Sequence, residues 1–154
     1  MGLDTTHDAW HGSYSAFMRW RIELARVAGL PPLSLMEGFY GDDDFHSLFA
    51  LMEMQARQAA PDCSDSLAEI KASLPISWAA LKPDPLHVLL FHSDCDGQIE
   101  VEDLLPLAER LEQLIPLMKD EDAGGHTGNW CDKTREFADG CRRAAAANEP
   151  LEFH

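Results

Sequence analysis

A run of acidic residues near the middle of the chain has the residue types and spacing that could hold a cation. Asp94 and Asp96 occupy alternate positions before Gly97, Ile99 follows two residues later, and Asp103 closes the run. Carboxylate oxygens gathered by a sharp turn are the ligands that hard cations such as calcium and magnesium prefer. The spacing therefore predicts a site for a divalent cation.

The segment from His92 to Asp103 resembles the calcium-binding loop of an EF-hand. Gly97 stands at the sixth position, where the family has a glycine for the turn, and Ile99 stands at the apolar eighth position. The resemblance implies six ligands, in chain order His92, Asp94, Asp96, Gln98 through its backbone carbonyl, Glu100 and Asp103. Helical patterns on both sides complete an EF-hand-like helix–loop–helix over about residues 85–115.

Two of these ligand positions depart from the EF-hand pattern. His92 places an imidazole where the family has Asp, and Asp103 is one methylene shorter than the closing Glu. No second loop of this kind is found to pair with the first. We therefore expect weak calcium or magnesium binding, with a dissociation constant on the order of 10⁻⁴ to 10⁻³ M. The alternative is an acidic turn that keeps the loop's shape without an ion.

Histidine and cysteine residues raise the further alternative of a transition metal. Imidazole and thiolate suit zinc better than calcium, so His92 and Cys95 could join the acids, although Cys95 should point away from the loop centre. His7 and His11 have the spacing of two zinc ligands on one helical face. Asp8 follows the first of them but is shorter than the Glu that metalloproteases use as a general base. A metal-dependent hydrolase is thus the one enzymatic hypothesis.

The charge of the chain limits its partners. Its 27 Asp and Glu residues against 12 Lys and Arg give a formal net charge of −15. Such a chain repels nucleic-acid phosphates and anionic membranes and attracts cations and basic proteins. We therefore expect no direct nucleic-acid binding and no membrane binding. A second functional hypothesis follows, in which the protein is an acidic decoy that imitates the charge of DNA and binds a basic host protein.

The cysteines and the first residues of the chain predict a cytoplasmic location. None of the four cysteines forms a C-x-x-C pair, which argues against a zinc knuckle or a thioredoxin-type site. The first residues lack the basic and apolar pattern of a secretory leader. We therefore expect free thiols in a reducing cytoplasm.

Helical periodicity is the main structural signal in the chain. Apolar residues recur at intervals of three and four from Tyr14 to Ala28, with Ser13 before them as a cap and Gly29 after them. Further helices are expected at about 45–56, 64–74, 85–90, 104–115 and 130–147. No segment shows the sustained alternation of a β-strand. The sequence predicts a single all-α domain of five or six helices over residues 1–154.

Residues at both ends of the chain and around the acidic loop carry a second resemblance. They are Met1–Asp4 with His7 and Trp10, Tyr14, Phe17, Trp20 and Arg21, His92–Gly97, Asp139–Cys141, Asn148, and Leu151–Phe153. With them the layout resembles a small family of phage- and prophage-encoded proteins of unassigned function. The resemblance implies a bacterial cytoplasm and no catalytic residue. Our leading hypothesis is a non-enzymatic interaction or structural protein with one degenerate cation site and an undetermined oligomeric state.

Overall fold

The computed structural model describes residues 2–38, 53–54, 75–93, 96–118 and 128–154. These parts of the chain contain four α-helices, namely α1 (Tyr14–Val27), α2 (His87–Leu90), α3 (Val101–Leu114) and α4 (Trp130–Ala147). They also contain four short strands, namely β1 (Gly2–Asp4), β2 (His11–Ser13), β3 (Gly97–Ile99) and β4 (Leu151–Phe153). Single 3₁₀ turns lie at Thr6–Asp8, Leu33–Leu35, Trp78–Leu81 and Ile115–Leu117.

Helix α1 confirms the prediction made from apolar spacing. The Ser13 side chain accepts a hydrogen bond from the Ala16 amide and caps the helix. Gly29 follows the helix at φ +72°, a left-handed conformation that glycine adopts without strain. Phe17 and Trp20 on the inner face are fully buried. The cap at Ser13, the glycine after the helix and the buried face of α1 therefore agree with the predicted helix.

Helices α3 and α4 pack against each other more extensively than any other pair of elements in the described residues. Their buried faces carry residues at helical spacing, among them Leu104, Leu107 and Leu111 on α3 and Phe137 and Cys141 on α4. Helix α4 has the predicted bounds.

Helix α3 begins at Val101, earlier than the start at about residue 104 that the apolar spacing predicts. Pro106 lies in its second turn. The ring removes the amide that would donate to the Glu102 carbonyl, and that carbonyl is on an exposed residue. The lost hydrogen bond is therefore one that water can replace.

The N-terminal segment lies directly on helix α4 because Gly140 has no side chain. A Cβ at this position would overlap the Ala9 Cβ and lie 2.5 Å from the Ala9 Cα. One turn further along, Arg143 donates from Nε and Nη2 to the His7 carbonyl at 3.0 and 2.6 Å. His7 and Asp8 have φ of +58° and +51°, which costs free energy for residues other than glycine. Contacts with α4 hold this turn in place.

Two small antiparallel sheets join the two ends of the described chain to the acidic loop. Strand β1 pairs with β2, and β3 pairs with β4. A bridge between Thr5 and Phe153 links the two sheets, and Asp4 and His154 exchange backbone hydrogen bonds of 3.2 and 2.9 Å. The acidic loop is thus connected through β4 to the N-terminal segment.

The prediction of an all-α domain with five or six helices is wrong. The described residues form four α-helices and two two-stranded antiparallel sheets, which is a mixed α/β architecture. A strand of three residues contains at most one apolar–polar–apolar alternation, as in Leu151–Phe153, and that is too short to predict a strand. The helices expected at about 45–56 and 64–74 lie outside the described residues, apart from Glu53 and Met54, which are helical.

In the described parts of the chain, no helix is both long enough and apolar enough to cross a bilayer.

Candidate cation-binding loop and adjoining cleft

The second half of the acidic loop follows the predicted course. Gly97 turns the chain at φ +100°, and strand β3 follows at once. Ile99 is 2% exposed and belongs to the core. Glu100 is the N-cap residue of α3, where its carbonyl accepts a hydrogen bond from the Asp103 amide at 3.0 Å. Turn, strand and helix start thus follow one another between residues 96 and 103.

The predicted ligands in this half of the loop lie on its outer side. Asp96, Gln98 and Glu100 are exposed, and Asp103 is half-buried at the start of α3. The Gln98 amide donates to Glu100 Oε1 at 2.8 Å, and the Ser93 hydroxyl donates to Asp96 Oδ1 at 2.9 Å. The loop's polar atoms therefore bond to one another across the turn.

The remaining acid of the loop, Asp94, lies outside the described residues together with Cys95. Within the residues that are described, no three His, Cys, Asp or Glu side chains form a group that could hold a metal ion. The expected ligand role of Asp94 and the expected orientation of Cys95 stay predictions.

The His92 ring packs against the C-terminal strand. The imidazole stacks on Phe153, with ring centroids 4.2 Å apart, and its Nδ1 lies 2.8 Å from the Ser93 carbonyl. Its Nε2 lies 3.3 Å from where a Cβ on Gly97 would stand, so a side chain there would press on the imidazole. The His92 carbonyl accepts a hydrogen bond from Arg21 Nη1 at 2.7 Å. In this arrangement His92 packs the loop against the core.

The C-terminal strand β4 pairs with the second half of the acidic loop. Glu152 stands opposite Gln98 in the β3–β4 pair, and Leu151 stands opposite Ile99. Leu151 and Phe153 are 0% and 4% exposed. The Phe153 ring reaches the aromatic cluster of the core and lies 5.8 Å from Phe17. The sequence analysis did not predict that β4 pairs with the loop, although the apolar–polar–apolar pattern of β4 is a local signal of a strand.

The helix that enters the loop is shorter than expected but is firmly placed. It has a single turn, α2, and Asp84 before it accepts a hydrogen bond from the Leu86 amide at 2.9 Å. Arg110 on α3 donates to the same carboxylate from Nε and Nη2 at 3.2 and 3.1 Å. Both side chains are largely buried, so this bidentate pair fixes the entry to the loop relative to its exit.

His87 on α2 has a perturbed environment beside the loop. Burial lowers the pKa of His87, the positive charge of Lys82 lowers it further, and the negative charge of Asp103 opposes both. The imidazole is therefore neutral at pH 7. Because Asp103 acts on His87, the last predicted ligand of the loop lies near the entering helix.

The two N-terminal histidines are not on one helical face. His7 Nε2 lies 3.0 Å from a carboxylate oxygen of Glu149, and His11 Nδ1 contacts the carboxylate of Asp4. His11 belongs to strand β2, whereas His7 lies in the 3₁₀ turn. Each histidine has its own carboxylate partner, so the structure does not bring them together as zinc ligands.

An open cleft that the sequence does not predict adjoins the loop. It has a volume of about 310 Å³ and is lined by Arg21, Glu37, Gly38, Trp78, Phe91, His92 and Ser93. Phe91 is 58% exposed, and its ring stands between the parallel ring of His87 at 5.7 Å and the edge of Trp78 at 5.5 Å. The exposed ring of Phe91 and the partly buried ring of Trp78, beside polar groups, make this cleft a second candidate site.

The chain matches no protein-family model, and no curated protein or solved structure is significantly similar to it. The resemblances to the EF-hand loop and to phage-encoded proteins therefore stay predictions.

Proposed function

We propose that the protein is a non-enzymatic interaction module whose acidic loop, residues 92–103, binds calcium or magnesium weakly. The ion would neutralise crowded carboxylates and stiffen the connection between α2 and α3. Asp96, Glu100 and Asp103 would supply side-chain oxygens, Gln98 would supply its carbonyl, and Asp94 would complete the set.

The observation that carries this proposal is the course of the chain through the turn. Positive φ at Gly97 and burial of Ile99 leave the side chains of Asp96, Gln98 and Glu100 on the solvent side. The flanking β3–β4 pair and the Asp84–Arg110 ion pair hold both sides of the loop. A cation would thus meet a backbone that is already partly arranged.

A stability measurement tests the proposal. Chemical unfolding is followed with about 10 mM calcium, with about 10 mM magnesium and with chelator, each at the same ionic strength set with sodium chloride. For the expected dissociation constants, calcium should raise the free energy of unfolding by about 1.4–2.7 kcal/mol. Matching the ionic strength matters because a chain at −15 is stabilised by any salt through screening.

A pair of variants separates the loop from the rest of the acidic surface. Asp96→Asn removes a predicted ligand, and Asp139→Asn makes the same change at an exposed position on α4. The calcium effect should shrink in Asp96→Asn and persist in Asp139→Asn. Equal stability in calcium and in sodium chloride, or equal behaviour of the two variants, would show that the loop is an acidic turn without an ion.

The second candidate function, binding of a basic protein, is favoured by the state of the positive charges. In the described residues these Lys and Arg side chains form ion pairs with carboxylates: Arg26, Arg110, Lys133, Arg135 and Arg142. Five of the nine Lys and Arg residues in the described ranges are thus paired with carboxylates, while the whole chain has 27 Asp and Glu residues. Association with a basic partner should therefore weaken steeply as salt is added, which a titration at several ionic strengths measures.

A further inference from the structure

The cleft beside the loop presents two aromatic rings at an angle. Trp78 and Phe91 meet with ring centroids 5.5 Å apart and an interplanar angle of 69°. Phe91 is more than half exposed and lines the cleft. Aromatic faces attract ammonium and guanidinium groups through the ring quadrupole.

A fixed carboxylate stands next to these rings. Glu37 Oε1 accepts hydrogen bonds from the Ser77 hydroxyl and the Trp78 amide, both at 3.3 Å. The Glu37 carbonyl accepts another from the Trp78 indole at 3.0 Å, and its amide donates to the Ile76 carbonyl at 2.9 Å. Backbone and side chain of Glu37 are both held, so the carboxylate is positioned before any ligand arrives.

The cleft also contains a positive group, but that group is turned to the protein. Arg21 is 1% exposed, and its Nη1 donates to the carbonyls of Leu90 and His92 at 3.4 and 2.7 Å. Its guanidinium carbon also lies 4.8 Å from the centre of the Phe17 ring. Among the described lining residues, Glu37 is the one exposed carboxylate, and the whole chain carries −15. A cation is therefore favoured over an anion at the mouth of the cleft.

We infer that this cleft binds a lysine or arginine side chain of a basic protein partner, with the cation between the Glu37 carboxylate and the rings of Trp78 and Phe91. The inference rests on the proposal of a basic partner and does not depend on cation binding by the loop. It gives that partner a defined point of attachment in addition to general charge attraction.

The test uses a short oligolysine peptide as the probe and an oligoglutamine peptide of the same length as its control. Chelator is present, so that no divalent cation occupies the loop. The four indole N–H signals of Trp10, Trp20, Trp78 and Trp130 are followed by two-dimensional NMR at low ionic strength. Because the Trp78 indole donates to Glu37, its signal should move and saturate with oligolysine, while the buried Trp10 and Trp20 report no change.

Three variants decide between a site and general attraction. Glu37→Gln should weaken oligolysine binding about tenfold, and Phe91→Ala should weaken it about threefold. Glu109→Gln removes the same charge from an exposed position that does not line the cleft, and should change binding by no more than about twofold. Each variant's amide spectrum shows whether it is folded.

The possible failures are distinguishable. If oligolysine binds but Glu37→Gln and Glu109→Gln weaken it equally, the cleft is not the site, while the basic-partner proposal stands. If oligolysine does not bind at low ionic strength, both the cleft and the basic-partner proposal are overturned. Equal binding of oligoglutamine would also overturn the inference, because its side chains carry no charge.

Discussion

Replacing Gly140 with alanine should destabilise the protein, although alanine is the better helix former. Gly140 lies inside α4 and is buried against the N-terminal segment. An added Cβ would overlap the Ala9 Cβ and stand 2.5 Å from the Ala9 Cα and 3.0 Å from its amide nitrogen. Two of these atoms belong to the backbone, so a rotamer change cannot relieve the contact. The N-terminal turn must move away from the helix.

The opposing effects can be compared in size. Helix propensity favours alanine over glycine by about 1 kcal/mol. Overpacking against backbone costs about 1–3 kcal/mol, and moving the turn weakens the hydrogen bonds from Arg143 to the His7 carbonyl by about 1–2 kcal/mol more. The free energy of unfolding should therefore fall by about 1–4 kcal/mol.

Urea unfolding followed by circular dichroism measures this change, with the double variant Ala9→Gly/Gly140→Ala as its matched control. Removing the Ala9 Cβ relieves one overlap, but the approach of 2.5 Å to the Ala9 Cα remains, so rescue should be partial. The two positions should show a coupling free energy of at least about 0.5 kcal/mol. A Gly140→Ala protein that is more stable by about 1 kcal/mol, or additive effects in the double variant, would refute the close approach.

Three further predictions concern the core. Thr134→Val should lower the free energy of unfolding by about 1–3 kcal/mol, because the buried Trp20 indole, now 3.0 Å from the Thr134 hydroxyl, loses its acceptor; urea unfolding checks it. Phe153→Ala should cost about 3–5 kcal/mol and expose the β3 amides to hydrogen exchange, whereas Glu152→Ala at the exposed neighbouring position should change little. Burial raises the pKa of the Cys141 thiol from 9.0 to about 12, so the native protein holds this proton after the unfolded chain has lost it. Stability from this group is therefore complete below pH 9 and falls between pH 9 and pH 12, and a Cys141→Ala variant should lack that part of the pH dependence.

The parts of the fold that the sequence predicted depend on neighbouring residues alone. Helix α1 has its cap at Ser13 and its stop at Gly29, and α4 has a capping Asn129 before a buried face. The turn at Gly97 and the buried Ile99 likewise follow from the twelve residues of the loop. Such signals are visible in one segment because a cap or a helical face is completed by residues three or four positions away.

The parts that were missed depend on contacts between distant segments. Strand β4 exists because β3 and Thr5 pair with it, and no local alternation is long enough to reveal that pairing. The orientation of His92 is set by Phe153, and the carboxylate of Glu37 is placed by Trp78. An acidic loop can be recognised from spacing, but a cleft built from four separate segments cannot.

The pairing of β3 with β4 also holds the second half of the acidic loop in place. Leu151 and Phe153 are buried in the core and pair with Ile99 and Gly97 of β3. The proposed cation then has little backbone left to order in the second half of the loop. Its effect on stability should accordingly be smaller than that of Phe153→Ala, about 1.4–2.7 against 3–5 kcal/mol. The reverse order would mean that the ion, and not the aromatic anchor, determines the structure of the loop.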